Sequence, residues 1–165
     1  MQVNPLAENL LYKHISSNIP PKSTVINCYS GAGYLSAILC QNAQSVIGIE
    51  ISKDATQNAN FLKKNNNIKN LENICGDCAK VLPKIIESAS DCCVVFDPPR
   101  KGLDKKVLET TLNSMPKIIV YVSCNPATLA RDLKILKQKY KISSIQPFDM
   151  FSQTKHIETV AILKK

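Results

Sequence analysis

Residues 24–50 read TVINCYSGAGYLSAILCQNAQSVIGIE, and their apolar residues follow two different spacings. Short apolar runs at 24–29 and 46–50 predict strands, whereas the pattern at 34–42 predicts a helix. A strand, a tight turn, a helix and a second strand form the unit from which parallel sheets are built. The stretch therefore predicts an α/β domain.

The same alternation continues along the rest of the chain. Further helices are predicted at 5–17, 55–66, 79–88, 105–114 and 127–140. Further strands are predicted at 72–75, 92–96, 117–122, 142–148 and 156–163. Because no helix separates the last two strands, we expect them to pair antiparallel. We predict one domain over residues 1–165: a doubly wound, mostly parallel sheet with helices on both faces and an antiparallel last strand.

The composition is that of an ordinary soluble domain with a basic surface. The chain has 165 residues, 44% of them hydrophobic, and a formal net charge of +8. A charge of this size favours polyanionic partners, nucleic acid above all. The basic residues at 131–141 read as the solvated face of a helix. No apolar run reaches the roughly 20 residues of a membrane span, and the first residues lack a signal pattern, so we expect a cytoplasmic protein without membrane contact.

The seven cysteines show neither a disulfide framework nor a metal site. Their number is odd and their spacing irregular, which is typical of reduced thiols in a cytoplasmic protein. Cys75 and Cys78 form a single C-x-x-C pair, and a zinc site would need two further ligands. We therefore predict no metal.

Polar or conformationally special residues follow each predicted strand of the parallel part. In doubly wound sheets, ligands bind outside the carboxyl ends of the strands. These strand ends carry Tyr29 to Gly33, Glu50, Asp77, Asp97 to Arg100, and Ser123 to Pro126. A sheet with a purely structural role would not need such residues at one edge, so we expect a ligand site there.

The first two strand ends indicate which ligand this is. Gly31 and Gly33 let the backbone approach a ligand closely. Ser36 stands where a dinucleotide fingerprint has its third glycine, which disfavours pyrophosphate. Glu50 is placed to accept hydrogen bonds from ribose hydroxyls, and Asp77 to receive an exocyclic amine. This combination favours a nucleoside-like cofactor such as S-adenosylmethionine, although Glu50 could also be an ordinary acid at a strand end.

A cysteine and a glutamate stand out as a candidate catalytic pair. Asn125 can cap the next helix and Pro126 suits its first turn, so Cys124 lies at a helix N-terminus, where the dipole favours a thiolate. His156 and Glu158 share one face of the final strand. If that strand is antiparallel, Glu158 begins it at the same edge as Cys124. A thiolate with a separate base is a plausible pair, whereas the alternative is a buried cysteine and a solvated acid.

Taken together, these residues resemble the RNA uracil-5-methyltransferases, whose fold is the Rossmann-like class I fold of S-adenosylmethionine-dependent enzymes. The resemblance runs from Gln2 almost to the C-terminus. Its most specific parts are FDPPRKGLD at 96–104, YVSCNPATLARDL at 121–133 and PFDMFSQTKHIETVAIL at 147–163. QVN at 2–4, CYSGAGYLS at 28–36 and VIGIEIS at 46–52 also match.

The resemblance implies the following roles. Cys124 would add to C6 of a target uracil, and Glu158 would remove the C5 proton once the methyl group has been transferred. The cofactor contacts implied are Gln2, Tyr29, Tyr34, Glu50, Asp77 and Asp97. The implied partner is RNA, with ribosomal RNA favoured over transfer RNA, and the target base must leave its stack to be reached.

Three departures from the family pattern are visible. Asn27 stands where the family usually has an acidic residue, and Ser152 replaces its usual proline. The family's upstream RNA-binding domain is also absent from these 165 residues. Three alternatives therefore remain: a methyltransferase acting on cytosine C5 or an exocyclic amine, a catalytically silent RNA-binding fragment, and a weakly supported nicotinamide dehydrogenase. Arg100 argues against the amine enzymes, which have an aromatic residue at that position.

Overall fold

The computed structural model describes residues 5–89, 91–150 and 157–165. Its helices are α1 (Pro5–Ser17), α2 (Tyr34–Leu39), α3 (Lys53–Asn65), α4 (Cys78–Ile86), α5 (Lys105–Ser114) and α6 (Pro126–Leu136). Its strands are β1 (Thr24–Cys28), β2 (Ser45–Glu50), β3 (Leu71–Cys75), β4 (Cys93–Phe96), β5 (Ile118–Ser123), β6 (Lys141–Phe148) and β7 (Glu158–Lys164). The predicted alternation of strands and helices is confirmed.

The strands form one sheet in the order β3-β2-β1-β4-β5-β7-β6. The first five in this order are parallel, and β7 runs antiparallel to both β5 and β6. The predicted doubly wound sheet with a reversed last strand is therefore confirmed. The strand order changes direction at β1 and β4, which is where doubly wound sheets place a ligand crevice.

Helices cover both faces of the sheet. Alternate residues of the strands point to opposite faces, and they build two separate hydrophobic cores. One core joins the strands to α1 and α2 through residues such as Leu11, Ile15 and Leu39. The other joins them to α4, α5 and α6 through residues such as Leu82 and Leu136. The central strands β1, β4, β5 and β7 are thus buried on both sides, and the strand ends are left for function.

Two helices end three or four residues earlier than the sequence pattern predicts. The helix predicted at 34–42 ends at Leu39, where Asn70 Nδ2 donates 3.0 Å hydrogen bonds to the carbonyl oxygens of Cys40 and Ala43. The helix predicted at 127–140 ends at Leu136. After each helix the chain buries one more apolar side chain, Ala43 after α2 and Tyr140 after α6, which extends the apolar pattern past the helix. Of the helices in the described ranges, none is both long and apolar enough to cross a membrane.

Candidate functional site

The carboxyl ends of five parallel strands meet at one edge of the sheet. The residues at these strand ends are, in sheet order, Asp77 after β3, Glu50 at the end of β2, Tyr29 after β1, Asp97 after β4 and Cys124 after β5. Neighbouring strands lie about 4.8 Å apart, so these residues form a row. The topology therefore brings together the residues that the sequence placed at strand ends.

The two glycines of the loop after β1 serve different purposes. Both have a positive φ, 55° at Gly31 and 83° at Gly33. A Cβ added at Gly33 would lie 2.8 Å from the Cβ of Ala59 on α3, whereas one added at Gly31 would meet nothing within 4 Å. Gly33 is thus required by close packing against α3. Gly31 borders open space and is the glycine that a ligand can approach.

Hydrogen bonds to the protein hold the carboxylates at the β2 and β3 ends in place. Glu50 accepts from the backbone N–H of Gly31 at 2.9 Å and from that of Ser52 at 2.8 Å. Asp77 is the N-cap of α4 and accepts from Ala79 N at 2.9 Å. Both carboxylates are therefore oriented before any ligand arrives. Because each carboxylate oxygen has two lone pairs, both residues keep acceptor capacity.

A cavity of about 180 Å³ lies between the glycine loop and α1, which we call the loop cavity. Its lining comprises Glu8, Tyr12, Asn27, Tyr29, Ser30, Gly31, Ala32, Tyr34, Leu35 and Asp97. It thus contains four of the residues singled out from the sequence as cofactor contacts. A larger groove of about 820 Å³ runs between α1 and α2, but no carboxylate and no strand end lines it. The chemistry of the strand ends favours the loop cavity.

Two buried polar atoms at the loop cavity have no hydrogen-bond partner among the described residues: Asn27 Oδ1 and the Tyr29 hydroxyl. The Asn27 side chain donates from Nδ2 to Ser36 Oγ at 2.8 Å, and Asn27 is only 1% exposed. Buried polar atoms are almost always paired in folded proteins. Asn27 lines this cavity, so a polar ligand there can pair with its Oδ1, whereas the Tyr29 ring packs against the core that joins the sheet to α4, α5 and α6.

The register of β5 and β7 places the candidate catalytic residues side by side. Ser123 lies opposite Thr159 in this antiparallel pair, so the next residues outward are Cys124 and Glu158. Glu158 is 7% exposed, and Cys124 is half-buried. The sequence-based prediction that the last strand carries Glu158 toward Cys124 is therefore confirmed in its geometry.

Near Cys124, the surroundings disfavour the negatively charged forms of three neighbouring groups. Burial, and then the charge of Glu158, raises the pKa of Asp97 to about 7, although the Asp97 side chain opens to solvent through the loop cavity. Burial raises the pKa of Glu158, and Arg100 opposes this rise. Asp97, Glu158 and Cys124 thus form a cluster in which the charge of Glu158 raises the pKa of both other groups.

One expectation about Cys124 is wrong. The sequence predicted that the N-terminus of α6 would favour its thiolate, but burial, followed by the charge of Glu158, raises the pKa of this thiol, and Arg100 only partly opposes them. Asn125 does cap α6, accepting from Ala127 N at 3.0 Å. Cys124 lies one residue outside the cap, where the dipole is weak against the nearby carboxylate.

A buried aspartate that the sequence analysis did not single out holds the loop after β4 against α6. Asp132 is fully buried, and its Oδ2 accepts from the Tyr121 hydroxyl at 2.7 Å and from Leu103 N at 2.9 Å. Its Oδ1 accepts from Arg131 Nε at 2.8 Å. The Arg100 carbonyl also accepts from Asn125 Nδ2 at 3.2 Å. This network fixes the backbone of the loop carrying Asp97 and Arg100 next to the cysteine.

Comparison with known proteins identifies the family. The family model described as tRNA (Uracil-5-)-methyltransferase matches residues 7–165. The chain belongs to this family. Uncharacterized RNA methyltransferases from Clostridium acetobutylicum and Listeria innocua are 43% and 44% identical over 99% and 98% of the chain. A Pyrococcus abyssi tRNA (uracil-54, C5)-methyltransferase, crystallised with S-adenosyl-L-homocysteine, is 33% identical over 96% of the chain, with a TM-score of 0.83.

The 165 residues of this uracil-5-methyltransferase family member span only part of the length of those relatives. It covers 36% and 37% of the two bacterial proteins and 38% of the archaeal chain. Gln2, Ser152 and His156, which the sequence analysis named, lie outside the described residues. Within the described ranges, no group of three or more His, Cys, Asp or Glu side chains is arranged to hold a metal ion.

Sequence reasoning missed two residues of the loop cavity. Glu8 and Tyr12 lie one turn apart on α1, and the Tyr12 hydroxyl donates to Glu8 Oε1 at 2.9 Å. The only available signal was their four-residue spacing, which places them on one face of a helix. That face could not be assigned to the cavity without knowing how α1 packs on the sheet.

Proposed function

We propose that this chain is the catalytic part of an S-adenosylmethionine-dependent RNA methyltransferase that transfers a methyl group to C5 of uridine. The observation that carries the proposal is the β5–β7 register, which puts Cys124 beside Glu158 at the ligand edge of the sheet. A cysteine nucleophile and a carboxylate base are the two groups that methylation of a pyrimidine C5 needs. Family membership supports the same reaction.

The residues at the β3, β2 and β1 ends fit S-adenosylmethionine. Asp77 can receive the exocyclic amine of adenine, Glu50 can accept from the ribose hydroxyls, and the open side of Gly31 leaves room for the ligand. The unpaired Asn27 Oδ1 supplies a further acceptor in the loop cavity. When bound, this cofactor supplies an electrophilic methyl group on a sulfonium.

The protein's own residues then make C5 reactive. C5 of uracil is a weak carbon nucleophile. Cys124 Sγ, after losing its proton to solvent, therefore adds to C6, and the electrons move into an enolate that reacts through C5. Once C5 carries the methyl group, Glu158 takes the C5 proton. The Sγ–C6 bond breaks, the double bond re-forms and the thiolate leaves. Burial raises the pKa of Glu158, which makes it a stronger base than an exposed glutamate.

The RNA partner is supported by the charge of the chain and by its family. A net charge of +8 favours a polyanion. The preference for ribosomal over transfer RNA stays a prediction. In either RNA the target uridine must leave its stack before Cys124 can reach C6.

A covalent trapping assay tests the proposal. The chain is incubated with S-adenosylmethionine and RNA containing 5-fluorouridine, and adducts are separated on a denaturing gel. Fluorine at C5 cannot be removed as a proton, so we expect an adduct that persists. Cys124→Ala should abolish it, whereas Cys75→Ala, a change at the exposed cysteine that ends β3, should not.

Unmodified ribosomal and transfer RNA are tested in parallel, with nucleoside mass spectrometry as the readout. We expect 5-methyluridine. Methylation of cytosine or of an exocyclic amine, or an adduct that survives in Cys124→Ala, would contradict the proposal.

A further inference from the structure

The position of the loop cavity shows which end of the cofactor it faces. The proposed function assigns adenine to Asp77 after β3 and ribose to Glu50 at the end of β2. The next strands along the sheet are β1 and β4, and the loop cavity lies over their ends, lined by Gly31 and Asp97. A ligand that continues in the same direction therefore brings its methionine part into this cavity.

The charge of the loop cavity is opposite to that of the whole chain. Its lining contains two acids, Glu8 and Asp97, and none of its described lining residues is a lysine or an arginine. The chain as a whole has a net charge of +8. The methionine part of S-adenosylmethionine carries a sulfonium and an α-ammonium group against one α-carboxylate, so its excess positive charge suits a cavity with two carboxylates.

The Glu8 carboxylate is held in position by α1 itself. Tyr12, one turn further along α1, donates its hydroxyl proton to Glu8 Oε1 at 2.9 Å. Burial, and then the hydrogen bond to Glu8, raises the pKa of Tyr12 well above its usual range, so this hydroxyl keeps its proton. The second oxygen of Glu8 retains its acceptor capacity.

An independent feature of the cavity calls for a hydrogen-bond donor. Asn27 Oδ1 is a pure acceptor, it is buried, and it has no partner among the described residues. An ammonium group has three N–H donors and no acceptor. Such a group can satisfy Asn27 Oδ1 and a carboxylate at the same time.

We propose that Glu8, oriented by Tyr12, binds the α-ammonium group of the methionine part of S-adenosylmethionine, with Asn27 Oδ1 as a second acceptor. This inference rests on the cofactor named in the proposed function. It makes α1 a part of the cofactor site, and Glu8 a residue that distinguishes ligands with a methionine part from shorter adenosine thioethers.

Calorimetric titration of the full chain with two ligands tests the inference. S-adenosylhomocysteine has the α-ammonium group, whereas 5′-methylthioadenosine has the same adenosine and a thioether but no amino acid. We expect Glu8→Gln to weaken binding of S-adenosylhomocysteine about tenfold and to leave that of methylthioadenosine unchanged. Tyr12→Phe should weaken the first ligand about threefold. Glu109→Gln, an exposed change on α5, is the matched control and should alter neither affinity.

Three results would overturn the inference: unchanged binding of S-adenosylhomocysteine by Glu8→Gln, an equal loss for both ligands, or no binding of S-adenosylhomocysteine by the unchanged chain. The last result would also contradict the cofactor assignment. A chain that binds S-adenosylhomocysteine as expected but forms no 5-methyluridine would contradict only the proposed reaction. Binding is measured without RNA, so the two failures are distinguishable.

Discussion

The two halves of the ligand edge are built in opposite ways. At the ends of β3 and β2, Asp77 and Glu50 already accept hydrogen bonds from backbone N–H groups. Asp97, Cys124 and Glu158 lie close together at the ends of β4 and β5 and at the start of β7. The charge of Glu158 raises the pKa of Asp97, and the charges of Glu158 and Asp97 raise that of Cys124. The first half, the cofactor half, is preorganised. In the second, the nucleophile half, negative charges repel one another until a cation binds.

This difference has a chemical meaning. A preorganised acceptor set binds a ligand without rearranging the protein. A cluster of carboxylates beside a thiol stabilises an incoming sulfonium, and that positive charge in turn favours the carboxylates and the Cys124 thiolate. We therefore expect changes of Cys124 and Glu158 to remove turnover, changes in the cofactor half to remove binding, and changes of Asp97, which also lines the loop cavity, to alter binding through its charge.

The largest expected effect is the loss of chemistry without loss of binding. Cys124→Ala should lower the rate of 5-methyluridine formation at least about a thousandfold, because no other group can add to C6. Its affinity for S-adenosylhomocysteine should stay within about twofold of the unchanged chain. Radiometric methyl transfer and calorimetry measure the two quantities, and a matched loss of both would show that the halves are not separable.

The second-largest effect is a loss of stability when the loop after β4, which lies between the two halves, loses its anchor. Asp132→Ala leaves the buried Tyr121 hydroxyl and Leu103 N without their acceptor. We expect the free energy of unfolding to fall by about 3 kcal/mol, measured by urea denaturation. Tyr121→Phe, which removes a single hydrogen bond, should cost about 1 kcal/mol. An Asp132→Ala variant as stable as the unchanged chain would rule out this network as the anchor of the loop.

A smaller effect separates the two glycines of the cofactor half. Gly33→Ala puts a Cβ 2.8 Å from that of Ala59 and should lower the free energy of unfolding by about 2 kcal/mol. Gly31→Ala meets no protein atom within 4 Å, so it should cost only about 1 kcal/mol for its positive φ. Its main effect should be weaker binding of S-adenosylhomocysteine. The reverse pattern, seen by denaturation and calorimetry, would contradict the roles given to the two glycines.

The smallest effect is a dependence of binding on pH. The pKa of Asp97 is raised to about 7, chiefly by burial, so this carboxyl is mostly protonated below that pH. A bound sulfonium favours the carboxylate, and because Asp97 is exposed to solvent, affinity for S-adenosylmethionine should rise only about threefold from pH 6 to pH 8. Asp97→Asn should flatten this profile. A profile that is flat in the unchanged chain, measured by calorimetry, would remove Asp97 from the site.

The stability of the protein without ligand tests the direction of the Asp97 pKa shift. Folded Asp97 keeps a proton that the unfolded chain, with its ordinary pKa of 3.8, releases. Stability is therefore lost as pH rises between these two values. We expect Asp97→Asn to have the higher melting temperature at pH 8 and the same melting temperature as the unchanged chain near pH 4. Equal melting temperatures at both pH values would mean that the carboxyl is not destabilised by its surroundings.

The parts of the site that sequence could predict are those set by local order along the chain. Glu50 and Asp77 follow their strands directly, so the sheet topology alone brings them to the edge. The Cys124–Glu158 neighbourhood also followed, because it needed only the direction of the last strand.

The parts that sequence could not predict depend on packing between distant segments. Glu8 and Tyr12 reach the loop cavity only because α1 packs on the sheet next to α2. The pKa of Cys124 is raised by its burial and by Glu158, and neither can be judged from a helix cap alone. Predicting such a pKa requires the three-dimensional arrangement of the charges.

The most direct measurement is peptide mapping of the trapped adduct. After incubation with S-adenosylmethionine and 5-fluorouridine RNA, the complex is digested with nuclease and protease and analysed by mass spectrometry. We predict a fluorinated, methylated nucleotide on the peptide that contains Cys124, and on no other cysteine peptide. A methylated RNA product without any such adduct, or an adduct on another cysteine, would contradict the account.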